Sequence, residues 1–99
     1  MALEVAQFEA KEGKELEFEA SVASAESLLK AAKGYIGTRL SRSVEKPSRY
    51  WLIIEWETVE CHTVDFAGSD GAKQLAALIG PHLAAPPRVE HLQPRWQAD

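Results

Sequence analysis

The residues best suited to chemistry lie in the stretch WETVECHTVDF, residues 56–66, where one histidine stands among apolar positions. The spacing i, i+3, i+4, i+7 predicts one helical face formed by Val59, His62, Thr63 and Phe66. The pKa of a free imidazole lies near neutrality, so His62 is the candidate general base. Asp65 is the candidate to orient its ring, although side chains three residues apart on a helix often face water instead. The alternative is a half-buried histidine whose hydrogen bond is only structural.

Apolar side chains close to His62 are expected to enclose a cavity between this helix and the strand before it. Trp56 ends that strand, while Val59 and Phe66 share the helical face of His62, so all three are candidate pocket walls. Trp56 also has a plainer interpretation as core, because large aromatic side chains at strand ends usually just pack. An apolar space holding one or two titratable groups is suited to removing a proton from a bound molecule.

The histidines and the single cysteine give little support for metal chemistry. His62, His82 and His91 fall on three different predicted elements and show neither HxH nor HExxH spacing. We interpret His82 as a core or loop residue and His91 as a cross-strand or interface residue. Cys61 is the only cysteine, which excludes an internal disulfide and a cysteine-rich zinc site. We therefore predict no metal ion, and because a phosphate loop and a dinucleotide fingerprint are also absent, no bound cofactor.

Length and charge narrow the class of protein. The 99 residues suffice for one domain, 1–99, with a last strand at about 88–93 and a tail at 94–99. The net charge of −4 and the scattered basic residues argue against nucleic acid and against an anionic membrane surface. The start, MALEVAQFEA, lacks the pattern of a signal peptide, and no apolar run reaches the roughly 20 residues of a membrane span. A cytoplasmic protein is the expectation.

Hydrophobic periodicity predicts the element order strand, helix, strand, strand, helix, strand. The predicted strands cover residues 3–10, 36–44, 50–56 and 88–93. One helical segment lies between Gly13 and Gly34, and a break near Ser24 would divide it into two short helices. The other begins at the capping residue Thr58 and stops at Gly80-Pro81. This order predicts an α+β fold of the ferredoxin-like class, with a four-stranded antiparallel sheet and its helices on one face.

The strand RYWLIIEW is apolar on both of its faces, although helices are expected to cover only one. A soluble monomer rarely leaves such an apolar patch uncovered. Identical patches pair readily about a two-fold axis, so a second copy of the chain is the simplest cover. The sequence therefore predicts a homodimer that forms through the open face of the sheet. Trp51 and Ile53, or their even-numbered neighbours, lie on that face.

Several stretches together resemble the antibiotic biosynthesis monooxygenase family of the dimeric α+β barrel superfamily. They are Gly13 after the first strand, GYIGTRLSRS at 34–43, the acid-Lys-Pro loop before YWLIIEW, and the step WETVECHT into a helix; IGPHLAAPPRVEHL at 79–92 is similar to the end of one bacterial subgroup. The resemblance covers nearly the whole chain and implies a dimeric α+β barrel. Its members include cofactor-free oxygenases, heme-degrading oxygenases and proteins of no known activity, so it leaves the function open.

The resemblance implies a monooxygenase that uses no cofactor and acts on an aromatic, polyketide-like or quinol compound. Such an enzyme must deprotonate an electron-rich substrate and stabilise the anion. Tyr50 and Arg39 are then candidates to hold a phenolate or quinone oxygen, with packing or a surface ion pair as the alternative. The usual histidine of the family falls near Asp65 here, which leaves the role of His62 unsupported by the resemblance. The rival prediction is a non-catalytic dimeric module that binds a hydrophobic metabolite.

Overall fold

The computed structural model describes all residues, 1–99. In chain order its strands and helices are β1 (Ala2–Glu9), α1 (Glu15–Ser24), α2 (Glu26–Lys30), β2 (Tyr35–Arg42), β3 (Arg49–Trp56), a π-helix (Cys61–Phe66), α3 (Asp70–Ile79), a 3₁₀ turn (Gly80–His82) and β4 (Arg88–Leu92). The first predicted helix is indeed divided, at Ala25. Ser69 caps α3, since its Oγ accepts a hydrogen bond from the backbone N–H of Ala72.

The four strands form one antiparallel sheet in the order β2-β3-β1-β4. The first and third strands are the central pair, and the second and fourth are the edges, as two split βαβ units require. The predicted ferredoxin-like α+β fold is confirmed. No helix is long and apolar enough to cross a membrane.

The two faces of the sheet differ sharply in burial. On β3 the even-numbered side chains, from Tyr50 to Trp56, are buried beneath the helices. The odd-numbered neighbours Trp51 and Ile53 lie on the opposite face, where Trp51 is 39% exposed. Leu3 and Val5 of β1 share that face with them. The open face is therefore the odd-numbered one, and its centre is apolar.

Candidate functional site

The site is built at one end of the core, around the last side chain of β3. Trp56 is fully buried, and its indole ring packs edge-on against Tyr35 at 6.0 Å and tilted against Phe66 at 5.7 Å, between ring centroids. Because Tyr35 pairs with Trp56 across the sheet, strand register fixes the first of these contacts. Trp56 is thus a core residue behind Tyr35 and Phe66.

His62 reaches this cluster because the segment after β3 winds as a π-helix. The backbone N–H of Ala67 donates to the carbonyl of His62 at 2.9 Å, which is the i to i+5 bond of that wider helix. The imidazole stacks on the Trp56 indole, with centroids 5.7 Å apart and planes inclined by 18°. The α-helical spacing also placed Thr63 on the inner face, but Thr63 is exposed because the extra residue per turn rotates it outward. Val59, on the same predicted face, is half-buried.

Both ring nitrogens of His62 face polar partners from the sheet. Nδ1 lies 2.8 Å from Nε2 of His91, a hydrogen bond between the π-helix and the edge strand β4. Nε2 lies 3.4 Å from Oε1 of Glu4, which makes an ion pair whenever His62 is protonated. These two neighbours come from different strands, but β1 and β4 place them side by side, since Glu4 and His91 are register partners. The side chain of His62 remains 20% exposed.

Glu4 is a buried carboxyl on the helix-covered face of β1, among Ala2, Ala6 and Phe8. Its Oε1 accepts a hydrogen bond from Nε1 of Trp56 at 3.0 Å. Burial raises the pKa of Glu4 above its usual value, while the bond from Trp56 and the nearby His91 act to lower it.

The pKa of His62 moves the other way. Burial lowers it first, and the positive charge that His91 can carry lowers it further. An imidazole with a lowered pKa is neutral at physiological pH and retains a lone pair on one nitrogen. Glu4, His62 and His91 therefore form a compact titratable cluster beside an aromatic wall.

Asp65 does not join this cluster. Its side chain is exposed, and the positions beside the His62 ring are occupied by Glu4 and His91. The expected role in orienting His62 passes to those two residues. The physical reason is again the π-helix, which leaves a side chain three residues on from His62 pointing away from the sheet.

Arg39 and Tyr50 also lie elsewhere. Arg39 pairs with Ile53 across the sheet, so it belongs to the open face, while His62 lies on the other side. Tyr50 is buried on the helix-covered face but six residues from Trp56 along β3, roughly 20 Å away. Its hydroxyl donates to Glu19, and burial together with Glu19 raises the pKa of Tyr50 to about 12. Neither residue is in reach of a molecule bound beside His62.

Two cavities border the aromatic cluster. One, of about 360 Å³, is formed between α2, the π-helix and α3; its lining includes Phe66 with Asp65, Lys33 and Ser69. The other, of about 440 Å³, lies between the helices α1 and α2 and the strand β2; Tyr35 lines it among apolar side chains, with Glu19 and Glu26. Trp56 and His62 line neither cavity. The Phe66 ring, which contacts both of them, lines the first cavity, and the Tyr35 ring, which contacts Trp56, lines the second.

The sequence analysis missed Glu4 and His91 as site residues. A weak signal for Glu4 existed, because an acid at an even position of β1 interrupts the run Ala2, Ala6, Phe8. The opposite face of the strand also carries polar residues, Gln7 and Glu9, so alternation alone did not show which face, and therefore which acid, is buried.

For metal binding, no group of three or more histidine, cysteine, aspartate or glutamate side chains is arranged to hold an ion.

Comparison with known proteins places this arrangement in a family. The model of the antibiotic biosynthesis monooxygenase family matches residues 1–78, and so covers β1 to α3 with Glu4, Trp56 and His62. The chain belongs to the antibiotic biosynthesis monooxygenase family. The resemblance noted in the sequence is therefore confirmed, while His91 lies beyond the matched residues.

Relatives extend the match over most of the chain. The uncharacterized protein YczJ of Bacillus subtilis (strain 168) is 40% identical over 93 residues, covering 94% of this chain and 98% of its own. A crystal structure of a Bordetella bronchiseptica protein assigned to the antibiotic biosynthesis monooxygenases is 41% identical, with a TM-score of 0.94 over 96% of this chain and 97% of its own. SnoaB, a cofactor-independent oxygenase from Streptomyces nogalater, shares the fold, with 19% identity and a TM-score of 0.82 over 97% and 94% of the two chains.

Proposed function

We propose that this family member is a small homodimeric monooxygenase that needs no cofactor and oxidises a phenolic or quinol-like aromatic compound. The single observation that carries the proposal is the titratable cluster around His62, stacked on Trp56 at the edge of the apolar core. Family membership and the fold shared with a cofactor-independent oxygenase support it.

The chemistry balances with dioxygen alone. A phenol with a free position opposite its hydroxyl loses two hydrogens and gains one oxygen atom to become a quinone, and the second oxygen atom leaves in water. The substrate supplies the electrons, and it does so more readily as its anion. The role left to the protein is to accept the phenolic proton and to hold the anion in a site shielded from water. A neutral imidazole in a low-dielectric cluster meets the first need.

The cavity beside Phe66 is our proposed substrate site. The Phe66 ring contacts both Trp56 at 5.7 Å and His62 at 6.4 Å, so a shift of this one side chain joins the cavity to the cluster. Lys33 in the same lining offers a positive charge to a phenolate. A volume of about 360 Å³ falls in the range of small-molecule sites.

Oxygen uptake tests the proposal. The purified protein, treated with chelator and given no flavin or heme, should consume oxygen with 1-naphthol and form the 1,4-quinone that absorbance detects. His62→Ala should lower the rate by about a hundredfold or more, because it breaks the cluster that accepts the proton. His82→Ala is the matched control, because His82 lies in the 3₁₀ turn outside the cluster. Equal rates in both variants and the native protein would exclude the cluster from the reaction.

A non-catalytic module that binds a hydrophobic metabolite is the second candidate. It is favoured by the position of His62 and Trp56 behind the cavity walls and by the apolar lining of the cavity beside Tyr35. A binder needs only those walls, whereas an enzyme needs a base in contact with its ligand. Saturable binding of an aromatic compound with no oxygen uptake would favour this candidate.

The homodimer is proposed to form through the open face of the sheet. Leu3, Val5, Trp51 and Ile53 make its apolar centre, and Arg39 and Glu55 provide opposite charges near it. A face of this kind is self-complementary about a two-fold axis, because each arginine can meet the partner's acid while the apolar centres stack.

A further inference from the structure

The contacts of Glu4 constrain where hydrogens lie in the cluster. Its Oε1 accepts the hydrogen bond from Trp56 at 3.0 Å, so this oxygen is an acceptor, whether as a carboxylate or as the carbonyl oxygen of the acid. The same Oε1 is the atom that faces Nε2 of His62 at 3.4 Å. Two acceptors facing each other repel, and His62 is therefore most stable with its proton on Nε2.

That assignment determines the rest of the cluster. With Nε2 protonated, a neutral His62 has its only lone pair on Nδ1. Nδ1 lies 2.8 Å from Nε2 of His91, so His91 must be the donor of this bond and carry its proton on Nε2. The lone pair of His62 is thus already used, and the one free lone pair of the two histidines is on Nδ1 of His91. His91 is only partly buried, on the edge strand β4.

We propose that Nδ1 of His91 is where the cluster takes up the substrate proton, through an intervening water because His91 does not line the cavity beside Phe66, with His62 and Glu4 as the positioning residues that stabilise the resulting cation. This inference rests on the oxygenase proposed above. A proton taken up at Nδ1 of His91 makes an imidazolium, and the proton on its Nε2 can then pass to Nδ1 of His62. His62 becomes the cation, with its Nε2–H facing Glu4, while His91 is neutral again. One proton leaves the substrate, and one is added to the cluster.

The surroundings of the two rings agree with this scheme. Glu4 on β1 is the charged group that faces them from the sheet, Trp56 on β3 is uncharged, and Asp65 on the π-helix is exposed. Two imidazolium rings in direct contact repel, so a pair that has taken up one proton resists taking up a second.

Nitrogen-15 NMR of the histidine rings tests the assignment without any substrate. At about pH 8 we expect a proton on Nε2 of both His62 and His91, with unprotonated Nδ1 on each. In His91→Gln the amide can still donate to Nδ1 of His62, so His62 should keep its tautomer. His82→Gln should leave both rings unchanged. A proton on Nδ1 of either ring in the native protein would overturn the inference.

Turnover provides the second measurement. His91→Gln should lower oxygen uptake about a hundredfold or more, since glutamine cannot accept the proton. Thermal unfolding of this variant should match that of His82→Gln, which separates loss of the base from loss of the fold. Turnover that depends on His62 but is unchanged in His91→Gln would refute His91 as base and leave the oxygenase intact. The predicted NMR pattern in a protein with no turnover would instead refute the oxygenase and retain the proton-sharing pair.

Discussion

Gly34→Ala is expected to be the most damaging single-methyl addition in this chain. Gly34 has a φ of +78°, and its carbonyl accepts a hydrogen bond from the backbone N–H of Glu57 at 2.8 Å. A Cβ added there would lie 2.4 Å from Sγ and 3.0 Å from Cβ of Cys61, the first residue of the π-helix. The left-handed backbone costs an L-residue roughly 1–2 kcal/mol, and overpacking adds roughly 1–3 kcal/mol, about 2–5 kcal/mol in all.

Gly13→Ala is the matched control. Gly13 has nearly the same φ, +84°, but nothing lies within 4 Å of its added Cβ. It should therefore lose only the backbone contribution, about 1–2 kcal/mol. Urea unfolding at one fixed protein concentration measures both, and the difference isolates the contact with Cys61. For a domain of this size each kcal/mol corresponds to roughly 4–8 °C in Tm.

Cys61→Ala supplies a second control, since it removes Sγ and leaves only the 3.0 Å contact with Cβ. Gly34→Ala should cost less in that background, which makes the pair non-additive. The same displacement of Cys61 should disturb the titration of His62, the next residue along the π-helix. Equal loss of stability in Gly34→Ala and Gly13→Ala, with additive behaviour toward Cys61→Ala, would refute the reasoning.

Three further predictions concern assembly, acidity and packing. Trp51→Glu places a charge in the centre of the open face and should yield a monomer by sedimentation; a native protein that already sediments near its 10.9 kDa chain mass would contradict the dimer. Burial raises the pKa of Glu4, so ionisation of this carboxyl costs folding stability as pH rises above 4.5. In urea titrations Glu4→Gln should therefore be more stable than the native protein at about pH 7.5 but not at about pH 4. A stability difference that does not change with pH would contradict the raised pKa of Glu4. Tyr50→Phe removes the bond to Glu19 and should cost about 1 kcal/mol, leaving the NMR titration of His62 unchanged.

Much of the fold was predictable because local patterns and burial agree. The alternation along β3 and the Ser69 cap of α3 are each fixed by a few neighbouring residues. Strand order followed from the element sequence, since the ferredoxin-like arrangement is the usual solution for it. The pattern on β3 could not show which face the helices cover, because both are apolar; burial of Tyr50 and exposure of Trp51 decide that.

The site was less predictable because it depends on contacts distant in sequence. His62 was identified from its apolar neighbours, but its partners are separated from it by 58 residues toward Glu4 and 29 toward His91. The π-helix changed which side chains face inward. The α-helical spacing therefore wrongly placed Thr63 on the inner face and indicated Asp65 as the partner of His62. Arg39 was a candidate only while the face of its strand was unknown.

The burial of Glu4 is the strongest physical reason to regard this end of the core as functional. A carboxyl group taken out of water destabilises the fold unless a cation compensates it, and no lysine or arginine lies against Glu4. Glutamine would keep the bond from Trp56 without that cost. What only an acid provides is a negative charge beside His62 once the ring is protonated, and this stabilises a cation that forms during proton transfer. A residue that destabilises the resting fold but stabilises a transient positive charge is expected in a site that serves catalysis more than packing.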